Sequence, residues 1–186
     1  LFYQKALEGA PDCGGLVNFN CYSGEPVLGL AEGRPLFARR PDAHLTLENF
    51  ARAQLYSTMA ALKLGMDLLF EKEQVKLERL LGHGGLFKTP VVGQKLLAGA
   101  LEVPVSVMAS AGEGGPWGMA LLALYRLRCM EGGAPALEDW LEEAVFAGVE
   151  GSTIAPDETD AAGFAAFIKD YAACIPVEKA AGQALR

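Results

Sequence analysis

The chain has 186 residues, 51% of them hydrophobic, and a formal net charge of −7 from 16 basic and 23 acidic side chains. That is enough apolar material for one substantial core, so a single domain over residues 1–186 is expected. The acidic balance argues against a nucleic-acid partner, whose backbone demands a basic face, and the apolar runs are too short to span a bilayer. No run of like charges reads as an interaction tail. Cys13, Cys21, Cys129 and Cys174 are widely and irregularly spaced. They read as free, buried thiols in a reducing cytoplasm. Only two histidines occur, His44 and His83, too few for a zinc site.

Leu1 to Leu7 reads as a short helix stopped by Gly9-Ala10-Pro11. It lacks the basic lead and long apolar stretch of a signal peptide, and it resembles the last turns of a helix begun earlier. The expectation is a fragment of a longer protein. Asp12-Cys13-Gly14-Gly15 is a loop. In Leu16 to Tyr22, Leu16, Asn18 and Asn20 alternate with Val17, Phe19 and Cys21, which predicts a strand. Ser23-Gly24-Glu25 turns the chain, and repeated glycines and prolines from Pro26 to Pro41 predict an irregular surface excursion. Thr46 is a good N-cap for a long helix. Leu47, Phe50, Leu55, Met59, Leu62, Met66 and Leu69 recur at steps of three to five, carrying it to about Glu71. Its wide stripe should pack on a sheet or another helix.

Val75 to Leu81 is a candidate strand, ending in Gly82-His83-Gly84-Gly85. After Leu86-Phe87-Lys88-Thr89-Pro90 comes a helix from Val91 to Leu101. Val103 to Met108 is a second short strand, and Ala109 to Gly115 a small-residue loop. Pro116 suits the first position of the next helix, which runs to about Met130 before Gly132-Gly133. Leu137 to Phe146 predicts another helix, and Ser152 to Pro156 an extended segment. A final helix, capped by Asp157 or Thr159, reaches roughly Cys174, where Pro176 breaks or kinks it. No internal repeat or low-complexity segment occurs. Strands alternating with helices imply an α/β layer architecture.

Two strand-to-helix junctions carry the candidate chemistry. In the first, glycines without Cβ atoms let a flat ligand approach the backbone, and the next helix aims its N–H groups and positive dipole end at the loop. The second, Ala109-Ser110-Ala111-Gly112-Glu113-Gly114-Gly115-Pro116-Trp117-Gly118, repeats that logic one strand later. Two adjacent glycine loops can clamp a nucleotide, although either alone is most simply a turn. Neither is a Walker A loop, and neither has the Gly-x-Gly-x-x-Gly spacing. The nucleophile elbow of serine hydrolases is absent. His83 is most simply a solvated loop residue. Asp157, Glu158 and Asp160 suit a helix start, where acids complement the dipole. Phe50, Phe70, Trp117, Trp140 and Phe164 read as core aromatics.

Taken together, these segments resemble the C-terminal domain of the FGGY carbohydrate kinases, the group of xylulokinase, ribulokinase and gluconokinase. The resemblance runs from Gly15 to Met130. It rests on the long helix, the Gly84-Gly85 loop, Lys88-Thr89-Pro90-Val91 with Gln94, Leu101-Glu102-Val103-Pro104-Val105, and Gly118-Met119-Ala120-Leu121-Leu122-Ala123. It implies a ribonuclease-H-like, actin-like ATPase fold, truncated at its N-terminal side. It also implies that Gly84, Gly85, Leu86 and Thr89 lie near the adenine and ribose of ATP, with Glu113 to Gly118 closing the slot. The activity implied is ATP- and Mg²⁺-dependent phosphorylation of a sugar such as xylulose. The catalytic aspartate, the sugar contacts and a Gly-Thr-Ser phosphate loop are expected in a lobe outside this chain, so this chain alone should be inactive and prone to self-association. The glycine-rich, bulky segment Glu113 to Trp117 departs from the family's usual loop. Other sugars (ribulose, rhamnulose, fuculose, gluconate) and a non-catalytic actin-like module are the alternatives.

Overall fold

A computed structural model describes residues 1–109, 114–148 and 150–185. Helix α1 (Phe2–Ala6) leads through a short 3-10 turn to strand β1 (Leu16–Phe19). The stretch expected to be irregular contains a strand, β2 (Leu36–Arg39), antiparallel to β1 with Leu16 opposite Arg39 and Phe19 opposite Leu36. Its four residues carry little strand signal of their own, and pairing with β1 defines them. All four residues of β1 are buried, so the expected alternation of wet and dry faces is absent. The polar face is satisfied instead: Gln54 donates to the Asn18 side-chain oxygen at 2.8 Å, and Asn20 donates to the Gln54 carbonyl at 3.1 Å.

Helix α2 (Leu47–Glu71) starts as the sequence predicts, with the Thr46 hydroxyl accepting from the Asn49 amide at 3.1 Å. Its packing differs from the expectation. Buried positions run only from Asn49 to Ala60, and beyond them Leu62, Leu68 and Leu69 are exposed. The next strand is shorter than expected. Residues 75–79 have no strand partner, and β3 covers only Leu80–Gly82. It runs parallel to β4 (Val105–Met108), with α3 (Val92–Leu101) as the crossover between them. β5 (Gly151–Ile154), expected merely as extended chain, pairs antiparallel with β4. Gln94 of α3 donates to the carbonyls of Val105 and Ser152, at 2.7 and 2.8 Å, and so fastens the helix to both strands.

Helix α4 (Gly114–Glu131) has no buried residue and leaves Met119, Leu122, Leu127 and Met130 exposed. α5 (Leu137–Trp140) passes into a π-helical turn, Leu141–Val145. Asp157 caps α6 (Glu158–Ala184), accepting from the Asp160 amide at 3.0 Å. This helix continues through Pro176 instead of breaking there. Proline removes one helical hydrogen bond, but the turns beyond it are tied down from outside. Glu178, fully buried, accepts from the Arg34 amide at 2.7 Å, and Arg34 Nε donates to the Leu185 carbonyl. Gly163 lets α6 lie directly on the loop after α1: a Cβ there would come within 2.3 Å of Pro11.

The core lies where α2, α3 and α6 meet β1. Phe19 stacks on Tyr171 at 4.2 Å between ring centroids, and Tyr56 meets Phe164 edge-on at 4.7 Å. Asp160, expected only to favour a helix dipole, is buried in an ion pair. Arg52 of α2 reaches one of its oxygens at 2.6 Å, and Lys95 of α3 lies 3.4 Å from the other. Arg52 also donates to the Gly9 carbonyl at 2.9 Å. The cysteines are free among the described residues. Cys13 is buried as expected, whereas Cys129 is exposed on α4. Burial pushes the Cys13 thiol well above its ordinary pKa.

Arg52→Ala leaves the Asp160 carboxylate buried without its main partner, which costs about 3–5 kcal/mol. Urea denaturation is expected to show that loss. The paired replacement Arg52→Met with Asp160→Leu should recover most of it, and a double variant as unstable as the single one would show that the charges themselves are not what matters.

Candidate nucleotide site at the carboxyl ends of β3 and β4

β3 and β4 run parallel, so their carboxyl ends open on the same edge of the sheet, where α/β proteins bind ligands. The glycine loop leaves β3 there. Gly82 packs tightly: a Cβ would lie 2.6 Å from the Phe87 ring. The next two glycines are the opposite case. Gly84 has φ 103° and ψ −172°, a region open essentially to glycine alone, and among the described residues a Cβ on Gly84 or Gly85 would meet nothing within 4 Å. The backbone here is both specially shaped and bare, as a closely approaching ligand requires.

A 3-10 turn, Gly85–Lys88, follows, closed by the Phe87 amide donating to the Gly84 carbonyl at 3.1 Å. Thr89 is extended. Val91 then takes φ 72° and ψ −45°, with the Val92 amide donating to the Pro90 carbonyl at 2.9 Å. This is the strained, positive-φ form of the γ-turn, and a β-branched residue is a poor occupant of it. Among the described residues no side chain caps the N-terminus of α3, so, past the Val92 amide that Pro90 takes, its next N–H groups are left for solvent or a ligand.

Two cavities flank this loop. One, of about 450 Å³, is lined by Thr89, Val91, Gln94, Val107, Glu150 and Ser152 among others. The other, of about 340 Å³, is lined by His83, Gly114, Trp117, Gly118, Trp140 and Phe146 among others. His83 and Phe87 bracket Gly84 and Gly85 in sequence, and each lines a different cavity. The structure therefore brings the start of α4 against the first glycine loop, as two adjacent loops require. A Cβ on Gly114 would come within 2.9 Å of His83 Cβ.

The expected site residues do not share one pocket. Thr89 faces the first cavity and Gly118 the second. Leu86 is half-buried against the core, close enough to Gly93 that a Cβ there would meet its Cγ at 2.7 Å, so only its backbone is at hand. Glu113 lies outside the described residues. The second cavity's aromatic walls escaped the sequence reading, which placed Trp117 in the core. Trp117 is half-buried, with its ring plane 15° from that of His83 and the two centroids 6.4 Å apart. The signal available was Trp117 beside a glycine loop, a position that buries little. A larger cavity of about 580 Å³, lined by Gly29, Glu32, Arg34 and Lys179 among others, shares no residue with the glycine loop. Among the described residues no three His, Cys, Asp or Glu side chains converge to hold a metal ion.

The sequence profile of the FGGY family of carbohydrate kinases, C-terminal domain, matches residues 1–127. The chain belongs to that family. No curated protein sequence matches it. Solved structures that share its fold include the xylulose kinase from Rhodospirillum rubrum, at 21% identity and a TM-score of 0.68, covering 95% of this chain and 33% of that one. The gluconate kinase from Lactobacillus acidophilus is 19% identical with a TM-score of 0.72, covering 100% and 35%. The Plasmodium falciparum glycerol kinase with ADP is 14% identical with a TM-score of 0.60, covering 91% and 32%. This FGGY chain thus spans about a third of the length of these kinases. Its fold is the ribonuclease-H-like, actin-like ATPase fold of the family's C-terminal domain.

The γ-turn at Val91 stores strain of about 1–3 kcal/mol, part of which glycine would release after its own entropic cost of about 0.5–1 kcal/mol. Val91→Gly is therefore expected to raise the urea midpoint modestly, by about 1 kcal/mol in stability. A lower midpoint would mean that Val91 is not strained there.

Proposed function

We propose that this chain is the nucleotide-binding lobe of an ATP-dependent sugar kinase. The observation that carries the reading is the bare, glycine-only backbone at Gly84-Gly85, set at the carboxyl ends of two parallel strands and followed by an uncapped helix. Adenosine lies along that backbone, with Thr89 and the α3 N-terminus on one side and the α4 end with Gly118 on the other.

Phosphoryl transfer depends chiefly on positioning and on neutralising the charge of the moving phosphoryl group. This lobe contributes the positioning. The Mg²⁺ enters bound to the nucleotide phosphates, as it usually does in kinase sites, since the described residues build no carboxylate cage of their own. The base that takes the sugar hydroxyl proton, and the sugar contacts themselves, come in this proposal from the rest of the kinase architecture. The acceptor is a ketopentose, xylulose first, with ribulose, rhamnulose, fuculose and gluconate as the alternatives a substrate panel on a full-length kinase separates. We place the enzyme in the cytoplasm, where ATP is supplied. Among the described residues no helix is long and apolar enough to cross a membrane.

Calorimetric titration of MgATP and MgADP into the chain tests the site. Saturable binding is expected, and Gly85→Asp should abolish it by setting a carboxylate into the slot that adenosine takes. Because a Cβ at Gly85 meets nothing among the described residues, the unfolding midpoint of that variant should stay where it was. Undiminished binding would remove the loop from the site.

The exposed apolar side chains of α4 support self-association of the chain as part of this proposal. Analytical ultracentrifugation is expected to show mass rising with concentration, and a monomer at high concentration would contradict it.

A further inference from the structure

We propose that the cavity between the loop after β1 and helices α2 and α6 is a second ligand site, and that it takes a neutral, polyhydroxylated molecule the size of a monosaccharide. The cavity, about 370 Å³, falls within the roughly 300–1,000 Å³ range of small-molecule sites. Asn20, Cys21, Tyr22, Glu25, Ser57 and Tyr171 are among its walls, and it shares no described residue with the glycine loop or with the two cavities beside that loop. The site therefore does not depend on the nucleotide reading above.

Ser57 points to a ligand. It is 6% exposed and lines the cavity, and its hydroxyl is buried without a hydrogen-bond partner among the described residues. A serine inside a helix can bond back to a carbonyl of the preceding turn. Its neighbour Thr58 does so, donating to the Leu55 carbonyl at 2.6 Å, but Ser57 does not. Leaving a buried hydroxyl unpaired is unfavourable. Because it can both donate and accept, another hydroxyl satisfies it fully. The rest of the wall narrows the chemistry. Among the described lining residues the one formal charge is the Glu25 carboxylate, so phosphates and carboxylates meet repulsion and no cation. Glu25 Oε1 accepts from the Val27 amide at 3.2 Å, which holds the carboxylate in place with acceptor capacity to spare. An ammonium compound could only donate to this site, whereas a sugar hydroxyl gives to Glu25 and accepts from Ser57. Tyr22, 86% exposed on the same wall, buries almost nothing in the fold. Its free ring suits the C–H face of a sugar while the ligand hydroxyls turn inward.

Cys21 supplies the readout. It lines the cavity as a half-buried free thiol, and Cys129 is a free thiol exposed on α4. Alkylation of the full chain, resolved by cysteine with mass spectrometry, therefore measures occupancy against an internal control. Xylose is the probe. It is expected to slow alkylation of Cys21 saturably and to leave Cys129 unchanged. Ser57→Ala should weaken the apparent affinity for xylose about 2- to 10-fold, and Tyr22→Ala by a similar factor. Ser57→Ala removes only an unpaired hydroxyl, so its unfolding midpoint without xylose should not fall. A fallen midpoint would mean that the fold already satisfies that hydroxyl, and would overturn the proposal. 2-Aminoethanol, inorganic phosphate and MgATP are expected to give no protection. Protection by any of these that equals or exceeds that of xylose overturns the sugar site, as does protection by no probe at all. Neither result touches the nucleotide site, which MgATP calorimetry with Gly85→Asp tests separately.

Discussion

Arg52 enters the interior from α2 with its charge intact, and three other parts of the chain are arranged around that fact. Asp160 at the start of α6 neutralises it, the Gly9 carbonyl after α1 takes a second N–H, and Lys95 of α3 balances the far oxygen of Asp160. The guanidinium also lies 5.4 Å from the centre of the Tyr56 ring, within the range of a cation–π contact. A charge buried this deeply is tolerated only when its partners are fixed. The pair therefore sets where α2 and α6 meet, and α3 is held between that contact and the sheet through Gln94. The candidate site inherits its geometry from this arrangement. α3 begins where the glycine loop ends, so the orientation of its N-terminus toward the loop follows from its fixed place between α6 and the strands.

Features set by neighbours in sequence were legible from the start. Thr46 caps α2 through an amide three residues on, and the strand, glycine loop and helix around Gly84 announce themselves by composition. What was not legible depends on contacts made from a distance. Leu36 to Arg39 becomes a strand only through β1. The last turns of α6 outlast Pro176 because Glu178 and Arg34 hold them across a long sequence separation. Val91 contradicts its own preferences, so no local rule places a positive-φ turn there.

The candidate site shows the same division. Gly84 and Gly85 could be picked out because their freedom from side chains is itself the signal. Trp117 could not be told from a core residue, since an apolar aromatic looks alike in a sequence whether it faces other side chains or a void. Asp160 sits in the first turn of α6 as expected, but its ion pair was not legible, for a related reason. An acid at a helix start has an adequate local explanation, which hides a partner more than a hundred residues away. Leu86 shows the converse case: a residue beside the glycine loop whose side chain packs on the core and near Gly93.

Gly163 has a further consequence for the longest helix. α6 spans 27 residues, with small side chains scattered among the large ones, so its composition alone does not choose among axial positions against the rest of the chain. Only one of them sets a residue without a side chain opposite Pro11. The glycine thus works as a notch cut to a single depth. Sliding the helix by one turn would drive Phe167 or Thr159 into a backbone that has no room for either. Phe164 and Tyr171 reach their aromatic partners because the notch has already chosen the register for them.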